Sequence, residues 1–314
     1  MKRIIFIIPL FFLLLSCEMK DEEHVLSILS WNMYLMCDDI DTGNELPPFK
    51  FVMGYTPEQY RKRIRKTVDI LSTPEYESDI LLLQEIESEK VLRDLLDAGL
   101  ARHGYKYYGL LEINSPITVG YISKYKPIDT RIHTSLKDRP ILELVFRING
   151  EKLYLFNLHA RSQINGGSGE RRELFTLLDQ LMKDRSSHLC VAMGDFNEDP
   201  KNGMSMIEYG KEGNPALSVT GDMSEVDYGV YYTPTLDLDL PAQGSVYHLG
   251  FHTFDHVLLS DLAFDGRNHE FLTAKLLVPP GGADEEGRPI RYSPEAGIGF
   301  SDHFALKAEL KYNR

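Results

Sequence analysis

The chain reads as a single α/β domain, and three observations lead there. Four apolar runs, residues 25–29, 80–83, 153–156 and 189–193, are too short for helices and too apolar for loops. Such runs predict strands covered on both faces. Helical periodicity lies between them, and composition does not shift along the chain, so one body is expected rather than two. The first helix starts at Thr56-Pro57-Glu58, with proline at the first position, and Tyr60, Ile64, Val68 and Leu71 form its apolar stripe. Its opposite face carries Arg61, Lys62, Arg65 and Lys66, the pattern of a solvated helix face. Residues 88–96 and 170–182 predict two more helices. Residues 142–147 and 152–156 flank Asn149-Gly150, a strong hairpin signal. Residues 201–251 and 279–300 show no regular period. Loops of that length in a compact domain are usually functional or disordered, and because both lie between the polar islands described below they are expected to form the walls of a substrate site.

The amino terminus carries an address. Lys2 and Arg3 precede an apolar run over residues 4–15, too short to span a bilayer but suited to a signal peptide. It ends Leu14-Leu15-Ser16-Cys17, the pattern of a bacterial lipobox. Residues 1–16 are therefore expected to be a lipoprotein signal peptide. Residues 17–24 would be a tether lipidated at Cys17, and residues 25–314 the folded body. The expected location is extracytoplasmic, held to a bacterial membrane through the anchor. The formal net charge is −13, which excludes a protein that coats nucleic acid by its own charge. Brief contact with phosphodiesters through bound cations remains open. Cys37 and Cys190 are the other cysteines. Cys190 sits in an apolar run as a core residue, and a Cys37–Cys190 disulfide is open to an extracytoplasmic protein. No spacing of cysteine or histidine indicates zinc.

The apolar runs end in polar islands: Ser30-Trp31-Asn32, Leu83-Gln84-Glu85, Asn157-Leu158-His159 and Gly194-Asp195-Phe196-Asn197, with Ser301-Asp302-His303 near the end of the chain. Strand ends on a rigid sheet hold polar groups in fixed places, so the islands are expected to assemble one site. Glu85, Asp195 and Asp302 are carboxylates, and Asn32 and Asn197 offer amide oxygens. An oxygen set of this kind suits Mg²⁺, with Mn²⁺ or Ca²⁺ as alternatives. His159 and His303 can donate to a phosphate oxygen or move a proton, and Asp255, at the start of another strand, can orient an imidazole. A cation, an acid–base pair and an orienting carboxylate are the parts needed for attack of water on a phosphodiester.

In these motifs the chain resembles the endonuclease/exonuclease/phosphatase superfamily, of which DNase I is the prototype. The match runs from Leu26 to the end, with Gly194-Asp195-Phe196-Asn197 and Ser301-Asp302-His303 its most specific parts. The resemblance implies a DNase I-like four-layer α/β/β/α sandwich of two mixed, largely antiparallel sheets, and makes residues 25–314 a catalytic domain. It implies Glu85 as principal metal ligand, helped by Asn32 and Asp302. Asp195 would align or deprotonate water, and Asn197 and His159 would bind the scissile phosphate. His303, oriented by Asp255, would stabilise developing charge or protonate the leaving oxygen. Arg139-Pro140 ahead of the hairpin and His159-Ala160-Arg161-Ser162 are similar to secreted bacterial nucleases. There Leu-Lys stands where this chain has Ala160-Arg161. Arg139 and Arg161 are thus candidate phosphate contacts.

The expected function is metal-dependent hydrolysis of phosphodiesters, with DNA or RNA as transient substrate and the protein a monomer. Three rivals remain open: a phospholipase C or sphingomyelinase acting on phospholipid, a phosphomonoesterase acting on sugar phosphates, and a binding lipoprotein without turnover.

Overall fold

The computed structural model describes residues 23–113, 115–134, 139–163, 167–201, 207–209, 216–237, 244–247, 250–267 and 269–313. The expected signal peptide and Cys17 lie outside the described residues. In chain order the strands are β1 (Glu23–Met36), β2 (Ile80–Ile86), β3 (Tyr107–Leu110), β4 (Thr118–Ser123), β5 (Asp129–His133), β6 (Ile141–Ile148), β7 (Glu151–His159) and β8 (Leu189–Asp195). Then come β9 (Ile207–Tyr209), β10 (Leu217–Thr220), β11 (Val230–Tyr232), β12 (Val246–Tyr247), β13 (Phe251–His252), β14 (Asp255–Leu259), β15 (His269–Leu277) and β16 (Ala305–Asn313). The principal helices are α1 (Pro57–Leu71), α2 (Glu89–Ala98) and α3 (Ser168–Asp184).

One sheet runs β15-β16-β1-β2-β4-β3 and the other β5-β6-β7-β8-β14-β11-β10-β9, while β12 and β13 form a separate hairpin. The β1/β2 and β7/β8 pairs are parallel and most others antiparallel, so both sheets are mixed. The helices cover the outer faces. Tyr60, Ile64 and Val68 of α1 and Leu92 and Leu95 of α2 pack with Leu29, Trp31, Leu81 and Leu83. Leu174, Phe175 and Leu178 of α3 pack with Phe156, Leu158, Cys190 and Ala192. Between the sheets lie Leu26, Ile28, Ile80, Leu82, Leu153, Leu155, Val191, Met193, Val257 and Leu259. Four layers result because these strands are apolar on both sides. Even positions of β1 face the middle and odd ones face a helix. Each such side chain, once buried, contributes about 1.5–3 kcal/mol.

The helices are close to those expected. Thr56 and Gln59 form a capping box on α1, and Pro57 is its first residue. Asn149 (φ 50°) and Gly150 (φ 84°) make the two-residue turn between β6 and β7. The Cys37–Cys190 disulfide that the sequence leaves open does not form. Both cysteines are free and buried, because Cys37 lies in the α1/α2 layer and Cys190 in the α3 layer, across both sheets.

The inward rows explain where the polar islands go. Rows 26–28, 80–82, 153–155 and 191–193 continue in step to Ser30 and Asn32, Gln84, Asn157 and His159, and Asp195. The middle layer therefore turns polar at one end. Here the sheets are stitched together: Gln84 Nε2 donates to Asn157 Oδ1 (2.8 Å) and Ser30 Oγ (3.1 Å). Asn157 Nδ2 donates to the carbonyls of Gly120 (2.9 Å) and Leu83 (3.3 Å). All of this is buried, where lost partners cost most. Asn157→Leu is expected to lower stability by about 2–4 kcal/mol, read as a fall in the urea midpoint. An unchanged midpoint would show that the stitch is dispensable.

Candidate active site

The acid cluster forms where β1, β2, β7 and β8 end and β14 begins. Asn32 Nδ2 donates to Glu85 Oε1 (3.2 Å) and to Asp195 Oδ2 (3.1 Å), so one amide joins acids from the two sheets. The amide is oriented by its other end, because Asn32 Oδ1 accepts from the Tyr34 N–H (3.0 Å). Leu35 N–H donates to Glu85 Oε2 (2.7 Å). Both donors belong to a turn at the end of β1 in which Tyr34 and Leu35 take φ of 48°. Left-handed conformations are costly for such side chains and persist only when their surroundings impose them. Arg63, buried on α1, imposes this one: its guanidinium donates to the carbonyls of Met33 (2.6 Å), Tyr34 (2.6 Å) and Leu35 (2.8 Å).

The second half comes from the other sheet, which supplies Asp195, Asn197, His159 and Asp255, and from the loop before β16, which supplies Asp302 and His303. Asp195 Oδ1 accepts from Asn197 N–H (2.9 Å), and Asn197 Nδ2 donates to the carbonyl of Ala160 (3.1 Å). Gly194 before it is obligatory, since a Cβ there would stand 2.0 Å from the Leu158 carbonyl oxygen. His303 Nδ1 donates to Asp255 Oδ2 (2.8 Å), and His303 Nε2 lies 3.7 Å from Asp195 Oδ2. His159 Nε2 lies 3.5 Å from Asp195 Oδ2 and 3.7 Å from Glu85 Oε1. The loop carrying Asp302 and His303 is held by Ser301 Oγ, which donates to the Asn32 carbonyl (2.6 Å), and by Trp31 Nε1, which donates to the His303 carbonyl (3.0 Å).

These contacts set the charges. Burial pushes the Asp195 carboxyl up to about 7, although the nearby His303 draws it back. Burial also raises Glu85, and the charge of Asp302 raises it further. Burial opposes a charge on His303, yet Asp255 and then Asp195 outweigh it and hold the ring protonated well above the ordinary histidine range. His159 is driven well below that range by burial, then by Arg139 and His303, and so is neutral. Buried together are a carboxylate poised near neutrality, a cationic imidazole and a neutral one.

Glu85, His159, Asp195, Asn197, Asp302 and His303 line one cleft of about 330 Å³. Asn32 and Asp255 sit behind it, each bonded to a lining side chain. Of the two arginines singled out in the sequence, Arg139 is near enough to act on His159. Arg161 is exposed, and neither is among the residues lining the cleft. His256 points away as alternation requires, bonding to Thr235 and the Glu198 carbonyl. The cleft walls add Gln163, Tyr247, His252, Phe254 and Arg291, which had no individual signal. Tyr247 and Arg291 do fall within the two long segments expected to wall the site.

The sequence profile of the Endonuclease/Exonuclease/phosphatase family matches residues 29–303. The chain belongs to this family. Its members hydrolyse phosphoester bonds, and this chain is a phosphoester hydrolase. No curated protein sequence matches it. Among solved structures, an endonuclease/exonuclease/phosphatase family protein from Bacteroides thetaiotaomicron is 16% identical with a TM-score of 0.60, over 93% of this chain and 100% of that one. D. rerio TDP2 complexed with single strand DNA product is 16% identical with a TM-score of 0.58, over 91% and 98%. A mannosyl-6-phosphatase from Bacteroides thetaiotaomicron is 17% identical with a TM-score of 0.56, over 91% and 99%. At such identities the likeness is one of fold, here the DNase I-like sandwich.

Enzymes of this family typically use divalent metal ions, and the donors here fit one. Two acids, Glu85 and Asp302, line the same cleft, and the charge of Asp302 raises the cost of ionising Glu85, which a cation relieves. Among the described residues no three His, Cys, Asp or Glu side chains converge to enclose an ion. One or two carboxylates completed by water and substrate phosphate is the arrangement Mg²⁺ favours. The Asn32 oxygen is taken up by Tyr34, so this amide faces the acids with its donor.

A pH dependence follows. Asp195, Glu85 and His303 all hold protons in the folded state that the unfolded chain releases, so each makes stability fall as pH rises. His159 acts in the opposite sense, but only below about 6.5, where its unfolded form is charged. From pH 6.5 to 8 the metal-free protein is therefore expected to lose stability. Mg²⁺ should restore more of the urea midpoint at pH 8 than at 6.5, and Glu85→Gln should abolish the difference. A cation effect independent of pH and of Glu85 would place the ion elsewhere.

Proposed function

We propose that this phosphoester hydrolase is a divalent-cation-dependent nuclease that cleaves DNA or RNA strands outside the cytoplasm while anchored through Cys17. The observation that carries the reading is the pairing of Asp195, poised near pH 7, with a cationic His303 held by Asp255 in the same cleft. A general base works best with a pKa near the operating pH. Asp195 takes the proton of the attacking water as its oxygen bonds to phosphorus. The ester bond to the leaving oxygen breaks, and His303 gives that oxygen a proton and returns to charge by way of solvent. Neutral His159 and Asn197 bind the non-bridging oxygens, and Arg139 adds positive potential behind His159. A cation held by Glu85 and Asp302 would neutralise phosphate charge as a Lewis acid.

Two features bear on the substrate. From Glu23 to Asn32, β1 spans about 30 Å at roughly 3.3 Å per residue, so a tether preceding Glu23 would join at the end of the sandwich opposite the cleft. That placement favours a substrate from solution over lipid of the anchoring membrane. The TDP2 neighbour was solved with single strand DNA product. A second reading, a sugar phosphate monoester, is favoured by the modest cleft volume and by the mannosyl-6-phosphatase neighbour.

The test is a panel of single-stranded DNA, RNA, plasmid, sphingomyelin vesicles and mannose 6-phosphate, offered to a soluble form lacking residues 1–22. Strand cleavage is expected with Mg²⁺ and none with EDTA, and His303→Ala should lower kcat about 10²–10⁴-fold. Turnover of mannose 6-phosphate without strand cleavage would contradict the nuclease reading. In the full chain, Cys17→Ala is expected to move the protein from the membrane to the soluble fraction.

A further inference from the structure

The catalytic cleft is not closed on the side of Arg291. That residue lines both the cleft and a second cavity of about 400 Å³ whose other walls include Tyr34, Pro48, Met53, Tyr55 and Tyr292. We propose that this second cavity is a subsite for the planar ring of a nucleotide whose phosphate lies in the catalytic cleft, with Arg291 holding the phosphate at the boundary. The proposal rests on the nuclease reading and names the part of the substrate that gives it specificity.

Three features support it. Arg291 is exposed and makes no ion pair with a carboxylate among the described residues, so its charge is available to an anionic ligand. Its guanidinium lies over the Tyr34 ring, 5.5 Å from the centroid, which leaves the fork aimed by an aromatic surface rather than by an acid. The floor is rigid. Tyr55 and Tyr292 are buried, with hydroxyls donating to the carbonyls of Cys37 (3.2 Å) and Gln59 (3.3 Å). Arg63 lies beneath, with its guanidinium over the rings of Phe49 (4.8 Å) and Tyr292 (4.6 Å).

The same Arg63 fixes the backbone of Tyr34, so the catalytic turn and the aromatic cavity share one support. A preformed aromatic cavity stacks a base without first paying to order itself, and stacking tolerates every base because each has a π-face. An aliphatic lipid tail would gain nothing from a cation at the mouth. A bare sugar would leave the aromatic walls unused.

The experiment compares equilibrium binding of adenosine 5′-monophosphate and ribose 5-phosphate in Mg²⁺, with phosphate release followed in the same samples. The wild-type chain is expected to bind the nucleotide roughly tenfold or more tightly than the sugar phosphate. Met53→Trp, which fills the cavity at a partly exposed position, should remove that preference and leave ribose 5-phosphate binding unchanged. Arg291→Ala should weaken both ligands. Equal binding of the two ligands to wild type, or a preference untouched by Met53→Trp, would overturn the subsite even if strands are cleaved. A nucleotide preference without strand cleavage would leave the subsite standing and overturn the nuclease reading instead.

Discussion

The site depends on one carboxamide. Asn32 sits at the end of a strand in one sheet and donates to Glu85 beside it and to Asp195 across the sandwich. Without that bridge the partly buried Glu85 and the buried Asp195, acids from different sheets, would face each other across the His159 ring alone, and repulsion would spread the ends of the strands. The bridge works because the amide cannot turn. Its oxygen is taken by Tyr34 N–H, and Tyr34 is held in a left-handed turn by Arg63. Catalytic geometry therefore rests on a buried cation one helix away, joined to it only through backbone carbonyls.

Stability and function pull against each other here. Protonation of Asp195 near neutrality and the raised Glu85 both record the cost of keeping acids out of water. The sandwich bears that cost through three apolar clusters and through the Gln84–Asn157 stitch just beneath the acids. The polar end of the middle layer is thus a continuation of the core's own alternation. Asn32, His159 and Asp195 occupy positions that, a few residues earlier in each strand, are leucine, isoleucine, valine or methionine.

That continuity is why so much of the site was legible. The strands were visible as short apolar runs, and the polar residues that end them keep the inward parity of their rows, which brought Asn32, Asp195 and His159 together. Asp302 and His303 carry no such parity and rested on motif resemblance. What escaped notice has a different physical origin. Arg63 is not legible in the sequence because it lies on a helix among other basic residues, and nothing in the spacing marks the one that turns inward. Arg291 and Tyr247 belong to irregular segments, where position in space is set by tertiary contacts rather than by a period. Arg161 follows His159 closely in sequence, but the chain has already left the strand there and the side chain is exposed. Whether Cys37 and Cys190 pair is something no count of cysteines reveals, since both sheets stand between the two outer cores that bury them.

The central claim is that Glu85 and Asp302, set in place by Asn32, hold a divalent cation beside Asp195 and His303. Anomalous scattering from crystals soaked in Mn²⁺ tests it most directly. A peak bonded to Glu85 and Asp302 within the cleft is expected. A peak seated elsewhere, with Glu85 and Asp302 contacting only protein and water, would contradict the account.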